Sequence, residues 1–237
     1  MSEQLETILS EGLSCLSIPF TDDILHKFRI FYTLLSERSH QMNLTAISGE
    51  EDVARLHLLD CASVLNQFSF AGSRVLDVGS GAGFPGLVLK ILCPDLSLTL
   101  LDSTQKRVTF QQEVCKALNM TDVVCLHLRA EEAPDSMREN YDAVISRAVA
   151  RLNLLAELCF PFVSVGGSFL AMKGPAVEEE LSESKGAIRL LGGSEPTLSR
   201  YEVPGLDAER ILVRSVKLHI TPAKYPRRFA QMKKQPL

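Results

Sequence analysis

Long apolar runs are missing from this sequence, which nowhere approaches the ~18 uninterrupted apolar residues of a membrane-spanning helix. The N-terminal stretch MSEQLETILSEGLSCLSIPF carries acids and no basic segment ahead of an apolar run, so no secretory signal is read there. The six cysteines, Cys15, Cys61, Cys93, Cys115, Cys125 and Cys159, form no C-x-x-C pair, and no histidine stands at metal-ligand spacing. These absences argue against a disulfide framework and a metal site; reduced thiols, no metal, no membrane and a cytoplasmic setting are expected. A convincing acid–base pair or catalytic cysteine motif is lacking as well.

What is present is ordinary for a folded protein. The chain has 237 residues, 46% hydrophobic and 23% charged, enough for one sizeable domain with its own core. The net charge of −4 is unevenly spread, because the last seventeen residues hold Lys224, Arg227, Arg228, Lys233 and Lys234 and no acid. Such a basic tail suits a solvated end or a contact with nucleic acid.

The first seventy residues read as helices. Thr21, with Asp22 and Asp23, is placed to cap a segment whose apolar positions Ile24, Leu25, Phe28, Phe31, Tyr32 and Leu35 recur at helical spacing. Ser48 with Glu51 gives a capping-box signal for a second helix through Val53, Leu56 and Leu59. From Arg74 the rhythm changes to strands expected at 74–78, 97–102, 122–128, 141–146 and 168–173. Helices at 84–92, 104–118, 151–160 and 176–186 separate them. Two last β-like runs, near 198–203 and 210–219, suit an antiparallel hairpin. The expectation is an α/β, Rossmann-like fold with a seven-stranded, mostly parallel sheet. A helical extension spans 1–70, the sheet domain 71–220 and the basic tail 221–237, together one structural unit.

The segment RVLDVGSGAGFPG places bare backbone at the first βα turn, where such sheets face their ligand crevice. Gly81, Gly83 and Gly86 satisfy the dinucleotide pattern G-x-G-x-x-G, a weak signal alone. The register that follows the strand is instead Asp77, Gly79, Gly81 and Gly83, an acid and alternating glycines. That register is similar to the methyl-donor loop of seven-stranded S-adenosylmethionine-dependent methyltransferases. The second strand ends at Asp102 and Ser103, where a carboxylate suits a ribose diol; its alternative is a cap on the next helix. Ala130 and Glu131 follow the third strand, where an adenine can be met. Arg147 ends the fourth, in an apolar context that demands a partner.

Taken together, MNLTAI, RLHLLDCASV, VLDVGSGAGFPGLVLKI, LLDSTQKRVTF, ISRAVARL, AMKGP and YPRR resemble one family over nearly the whole chain. It is the bacterial small-subunit ribosomal RNA guanine-N7 methyltransferases, also called glucose-inhibited division protein B. The resemblance implies S-adenosylmethionine as methyl donor, bound at Gly79, Phe84, Ala130, Glu131 and Arg147 with Asp102 on the ribose. It implies 16S ribosomal RNA or the small ribosomal subunit as partner. Asn43, Arg55, His57, Arg227 and Arg228 become RNA-facing candidates, and Arg147 and Lys173 active-site candidates. The tail departs from the family's usual glycine and proline turn after YPR, reading RRFAQMKKQPL. A monomer is expected.

Guanine N7 is a bare acceptor, so its methylation removes no proton and needs no general base. That suits the absence of an acid–base pair, and ISRA stands where methyltransferases of exocyclic amines carry an [DNS]-P-P-[YFW] motif. Arg147 and Lys173 are expected to bind donor carboxylate, phosphate or guanine O6. Other readings are a methyltransferase of another RNA or a small molecule, and a dinucleotide-binding protein using Gly81, Gly83 and Gly86.

Overall fold

The computed structural model describes residues 3–237. Helices α1 (Glu3–Cys15) and α2 (Asp22–Met42) open the chain, and Thr21 caps α2 by accepting from the Ile24 N–H at 3.4 Å. A short helix α3 (Glu50–Val53) runs into a π-helical segment, Ala54–Leu59, then α4 (Asp60–Ala62) and a 3₁₀ turn, Ser63–Asn66. Here one expectation is corrected. The residue before α3 is Gly49 and no side chain caps it, so Ser48 and Glu51 form no capping box.

The sheet follows as β1 (Arg74–Val78), β2 (Ser97–Asp102), β3 (Val123–His127), β4 (Tyr141–Arg147), β5 (Val163–Lys173), β6 (Thr197–Glu202) and β7 (Glu209–Val216). Helices α5 (Gly86–Leu92), α6 (Gln105–Ala117), α7 (Leu152–Cys159) and α8 (Val177–Leu190) lie between strands, and α9 (Phe229–Lys234) closes the chain. The seven strands run in the order β3-β2-β1-β4-β5-β7-β6. Pairs among β1 to β5 are parallel, while β7 joins β5 and β6 antiparallel. The strand order reverses between β1 and β4, and ligands of open α/β sheets bind outside the carboxyl ends at such a point.

Strand alternation sorts side chains into two buried layers. Val75 on β1, Ala143 and Ile145 on β4, and Leu170 and Met172 on β5 join one core with Leu9, Phe28, Phe31 and Leu59 of the N-terminal helices. Leu76, Val144, Phe169 and Ala171 join the other with Leu155, Phe160 and Met232. Continued by two residues, the alternation on β4 carries Arg147 toward the N-terminal helices, and that on β5 carries Lys173 toward α8. The strand ends therefore deliver these two cations from opposite faces of the sheet.

Candidate active site

Two crevices open at the carboxyl edge. The first, about 320 Å³, is lined by Gly79, Asp102, Ser103, Ala130 and Glu131, all expected to bind donor, together with Arg107, Val149, Leu158 and Phe229. The second, about 390 Å³, is lined by His57, Asp60, Arg147, Lys173 and Arg210 among others. Ala148 borders both, with φ of 57°, a left-handed value uncommon outside glycine.

In the glycine loop, Gly79 has φ of +71°, and a Cβ there would meet Val149 at 2.4 Å, so both backbone and space require glycine. Gly86 starts α5, and its N–H donates to Asp77 Oδ2 at 2.8 Å. A Cβ at Gly86 would lie 2.5 Å from Leu100 and 2.9 Å from that carboxylate. The glycine that completed the dinucleotide pattern thus seats a helix on the sheet.

Asp77 is fully buried, and its Oδ1 accepts no hydrogen bond. Burial raises its pKa to about 7, against the lowering effects of the Gly86 N–H and Arg147. Asp102, 2% exposed, accepts from the Gly81 N–H at 2.9 Å and from the Thr104 N–H at 2.8 Å. Each oxygen of that carboxylate keeps a further lone pair. The local turn and the crevice-facing role are therefore compatible, and the cap of α6 falls on Thr104. Asp77, Gly81, Gly83 and Phe84 form the loop without lining the first crevice. Phe84 is 5% exposed and packs inward against Phe31, at 5.1 Å between centroids.

Arg147 turns away from the first crevice and is held at the second. Its Nη1 donates to Asp60 Oδ2 at 3.0 Å and to the Leu56 carbonyl at 3.1 Å, and its Nη2 to His57 Nδ1 at 2.9 Å. Three hydrogen bonds to one guanidinium come from the π-helical segment and the residue that follows it, and such segments often mark functional sites. A guanidinium only donates, so His57 Nδ1 must accept and the proton sits on Nε2, donating to Thr45 Oγ1 at 2.8 Å. Burial first, then the Arg147 charge, lowers the His57 pKa to about 3. The imidazole is neutral, with both nitrogens committed.

Asp60 also accepts from Arg210 Nε at 3.1 Å, so one buried carboxylate aligns two guanidiniums. Lys173 Nζ donates to the Ala150 carbonyl at 2.7 Å and to Glu180 at 2.9 Å. Sequence reading left Arg210 and Phe229 unassigned, and Asp60 without a role. Asp60 stood in view three residues after His57, whereas Arg210 reaches the site only through the β5–β7 pairing, one residue from the Lys173 and Ile211 partners.

The remaining RNA-facing candidates scatter. Asn43 ends α2 in the left-handed conformation and lines neither crevice. Arg55 donates to Glu51 and to the Pro204 carbonyl. Arg227 is spent on Glu157, donating from its backbone N–H at 2.9 Å, from Nε at 2.8 Å and from Nη2 at 2.5 Å. It is a tie within the protein because that carboxylate is 1% exposed. Arg228 is exposed. Among the described residues no group of acids, histidines and cysteines is placed to hold a metal, and no helix is long and apolar enough to cross a membrane.

The family described as rRNA small subunit methyltransferase G (GidB) matches residues 24–204. The chain is 41% identical over 237 residues to the ribosomal RNA small subunit methyltransferase G of Alkaliphilus oremlandii, covering 99% of each. It is 39% identical over 233 residues to that of Clostridium perfringens, covering 97% of this chain and 98% of the relative. Among solved structures, an S-adenosylmethionine-dependent methyltransferase from Aquifex aeolicus superposes with a TM-score of 0.52 at 22% identity, over 70% of this chain and 94% of that one.

Proposed function

This chain belongs to the rRNA small subunit methyltransferase G family, and from that premise we propose how its two crevices carry out S-adenosylmethionine-dependent methylation of ribosomal RNA at guanine N7. The observation that carries the reading is the shared border at Ala148, which sets a nucleoside-sized crevice directly beside a cation-lined one.

The residues of the first crevice fit the donor. Asp102 has unused acceptor capacity for a ribose diol and Gly79 gives a bare approach, while beneath that wall the buried, orphaned Asp77 Oδ1 senses a ligand cation through its charge alone. Ser103, Ala130 and Glu131 complete that wall. Bound there, S-adenosylmethionine supplies an electrophilic methyl group. Asp77, Gly81, Gly83 and Phe84 act beneath it by fixing the loop.

The second crevice receives the guanine. Arg147 and Lys173 hold anionic or carbonyl groups, phosphate or O6, while Asp60 keeps Arg147 and Arg210 from colliding as like charges. His57 fixes Arg147 and performs no proton transfer, since both ring nitrogens are engaged and N7 surrenders no proton. Rate acceleration then comes from holding two reactants in line, where effective molarities reach on the order of 10⁵–10⁸ M.

We take the protein to act as a monomer, and the ribosomal substrate supports a cytoplasmic setting. A net charge of −4 favours a structured site on the small subunit over indiscriminate RNA coating. The test is transfer of labelled methyl to small ribosomal subunits lacking the modification, mapped by cleavage chemistry specific for 7-methylguanosine. One stoichiometric site in 16S RNA is expected. A labelled exocyclic amine instead would overturn the N7 assignment.

A further inference from the structure

The C-terminal tail is seated where a solvated end would not be. After β7 it returns across the molecule: Arg138 donates to the Thr221 carbonyl at 3.1 Å and to the Tyr225 carbonyl at 2.7 Å, and Arg227 then clamps Glu157 on α7. Met232 of α9 is fully buried in the second core. Between these anchors Phe229 packs partly against the same core while its remaining surface borders the first crevice, beside Leu158, the residue after Glu157.

We propose that Phe229 is a binding residue for the adenine of the donor, its ring forming part of the wall of the crevice that Ala130 and Glu131 also line. The inference rests on the donor reading above. A half-exposed aromatic ring at the edge of a nucleoside crevice offers a π-face to a heterocycle, and the exchange is sequence-blind and strong. The clamp on Glu157 fixes the ring before any ligand arrives, so little order is lost on binding. The tail's departure from a solvated end has a purpose on this account. It carries one wall of the donor site across from the far edge of the sheet.

The experiment is calorimetric titration of the full chain with S-adenosylhomocysteine, for wild type, Phe229→Leu and Phe229→Tyr, with thermal midpoints measured without ligand. Phe229→Leu keeps apolar bulk and loses the ring; its Kd is expected to rise about 5- to 150-fold, the range of base–aromatic stacking, while the ligand-free midpoint falls by only about a few degrees and the protein stays folded. Phe229→Tyr keeps the ring and is expected to bind like wild type. In turnover, KM for the methyl donor should rise in Phe229→Leu while kcat holds. A Phe229→Leu protein that binds as tightly as wild type overturns the proposal and leaves the donor reading standing. Failure of the wild type to bind S-adenosylhomocysteine overturns both.

Discussion

The imidazole of His57 lies face to face with the ring of Phe84, centroids 4.4 Å apart and planes 19° from parallel. Phe84 belongs to the glycine loop and His57 to the N-terminal helices, so this stack joins the glycine loop to the cluster around Arg147. The Arg147 guanidinium stands over the same Phe84 ring at 5.3 Å. Protonating His57 would remove the acceptor that Arg147 uses and set two cations side by side.

Stability should therefore carry opposing pH dependences from His57 and Asp77. Unfolded, His57 takes a proton near 6.5; folded, it waits until about 3. Between these values the unfolded chain binds more protons, so this contribution rises with pH. Asp77 does the reverse: its folded pKa near 7 exceeds the unfolded 3.8, so the folded chain binds more protons and this contribution falls as pH rises. Urea denaturation across ~pH 4 to 6.5 is expected to give a steeper rise in Asp77→Asn than in wild type, and a fall in His57→Asn. Identical slopes in all three proteins would mean that neither group is held as the geometry requires.

Asp60 neutralises Arg147 and Arg210 together, and its side chain is only 6% exposed. Asp60→Asn should leave two guanidiniums without compensation, at a cost of about 3–5 kcal/mol, the range for breaking a buried ion pair from one side. Denaturant titration measures it. A loss below ~0.5 kcal/mol, typical of surface sites, would show that solvent already screens this cluster.

Donor binding should expel a proton through Asp77. A ligand cation near the unpartnered Oδ1 favours the carboxylate and lowers a pKa that burial holds at about 7. Calorimetry of S-adenosylmethionine binding at ~pH 6, repeated in buffers of different ionisation enthalpy, is expected to report proton release in wild type and none in Asp77→Asn. Equal values for the two proteins would place the ligand cation away from Asp77.

Much of the frame was legible because period-two apolar runs alternate with helical stretches, and each sheet strand was located within a few residues except at the start of β5. That strand begins at Val163 because the Gly166–Gly167 pair forms a bulge: Tyr141 pairs with Val163, and Ala143 already with Ser168. Two glycines in sequence look like a break, and the pairing that carries the strand across them lies on β4. The lining of the first crevice follows from the same local pattern, since Gly79 and Ala130 come after strands and Asp102 ends one. Arg147 was visible as a cation at a strand end, but its direction was not. Its partners Leu56, His57 and Asp60 lie 87 to 91 residues earlier and meet it only when the N-terminal helices pack on the sheet. Arg210 and Phe229 were hidden similarly, one by strand pairing and one by the return of the tail.

The tail's two adjacent arginines should separate stability from RNA binding. Arg227→Ala strands the Glu157 carboxylate, which is 1% exposed and loses two of its three hydrogen bonds from this residue, so the cost falls in the few-kcal/mol class of a broken buried pair, about 3 kcal/mol. Its backbone N–H survives the substitution and softens that cost. Arg228 is exposed at the start of α9 and makes no such bond, so Arg228→Ala should leave the denaturation midpoint unmoved. If Arg228 meets a phosphate, its removal should weaken binding to the small subunit without regard to sequence and reduce the slope of log K against log salt by about 1. Salt titrations of both variants distinguish the cases. A slope change in Arg227→Ala without loss of stability would return that residue to the RNA face, against the clamp on Glu157. An unchanged slope in Arg228→Ala would mean that this arginine meets no phosphate, and would leave the anchored tail around it a structural strap.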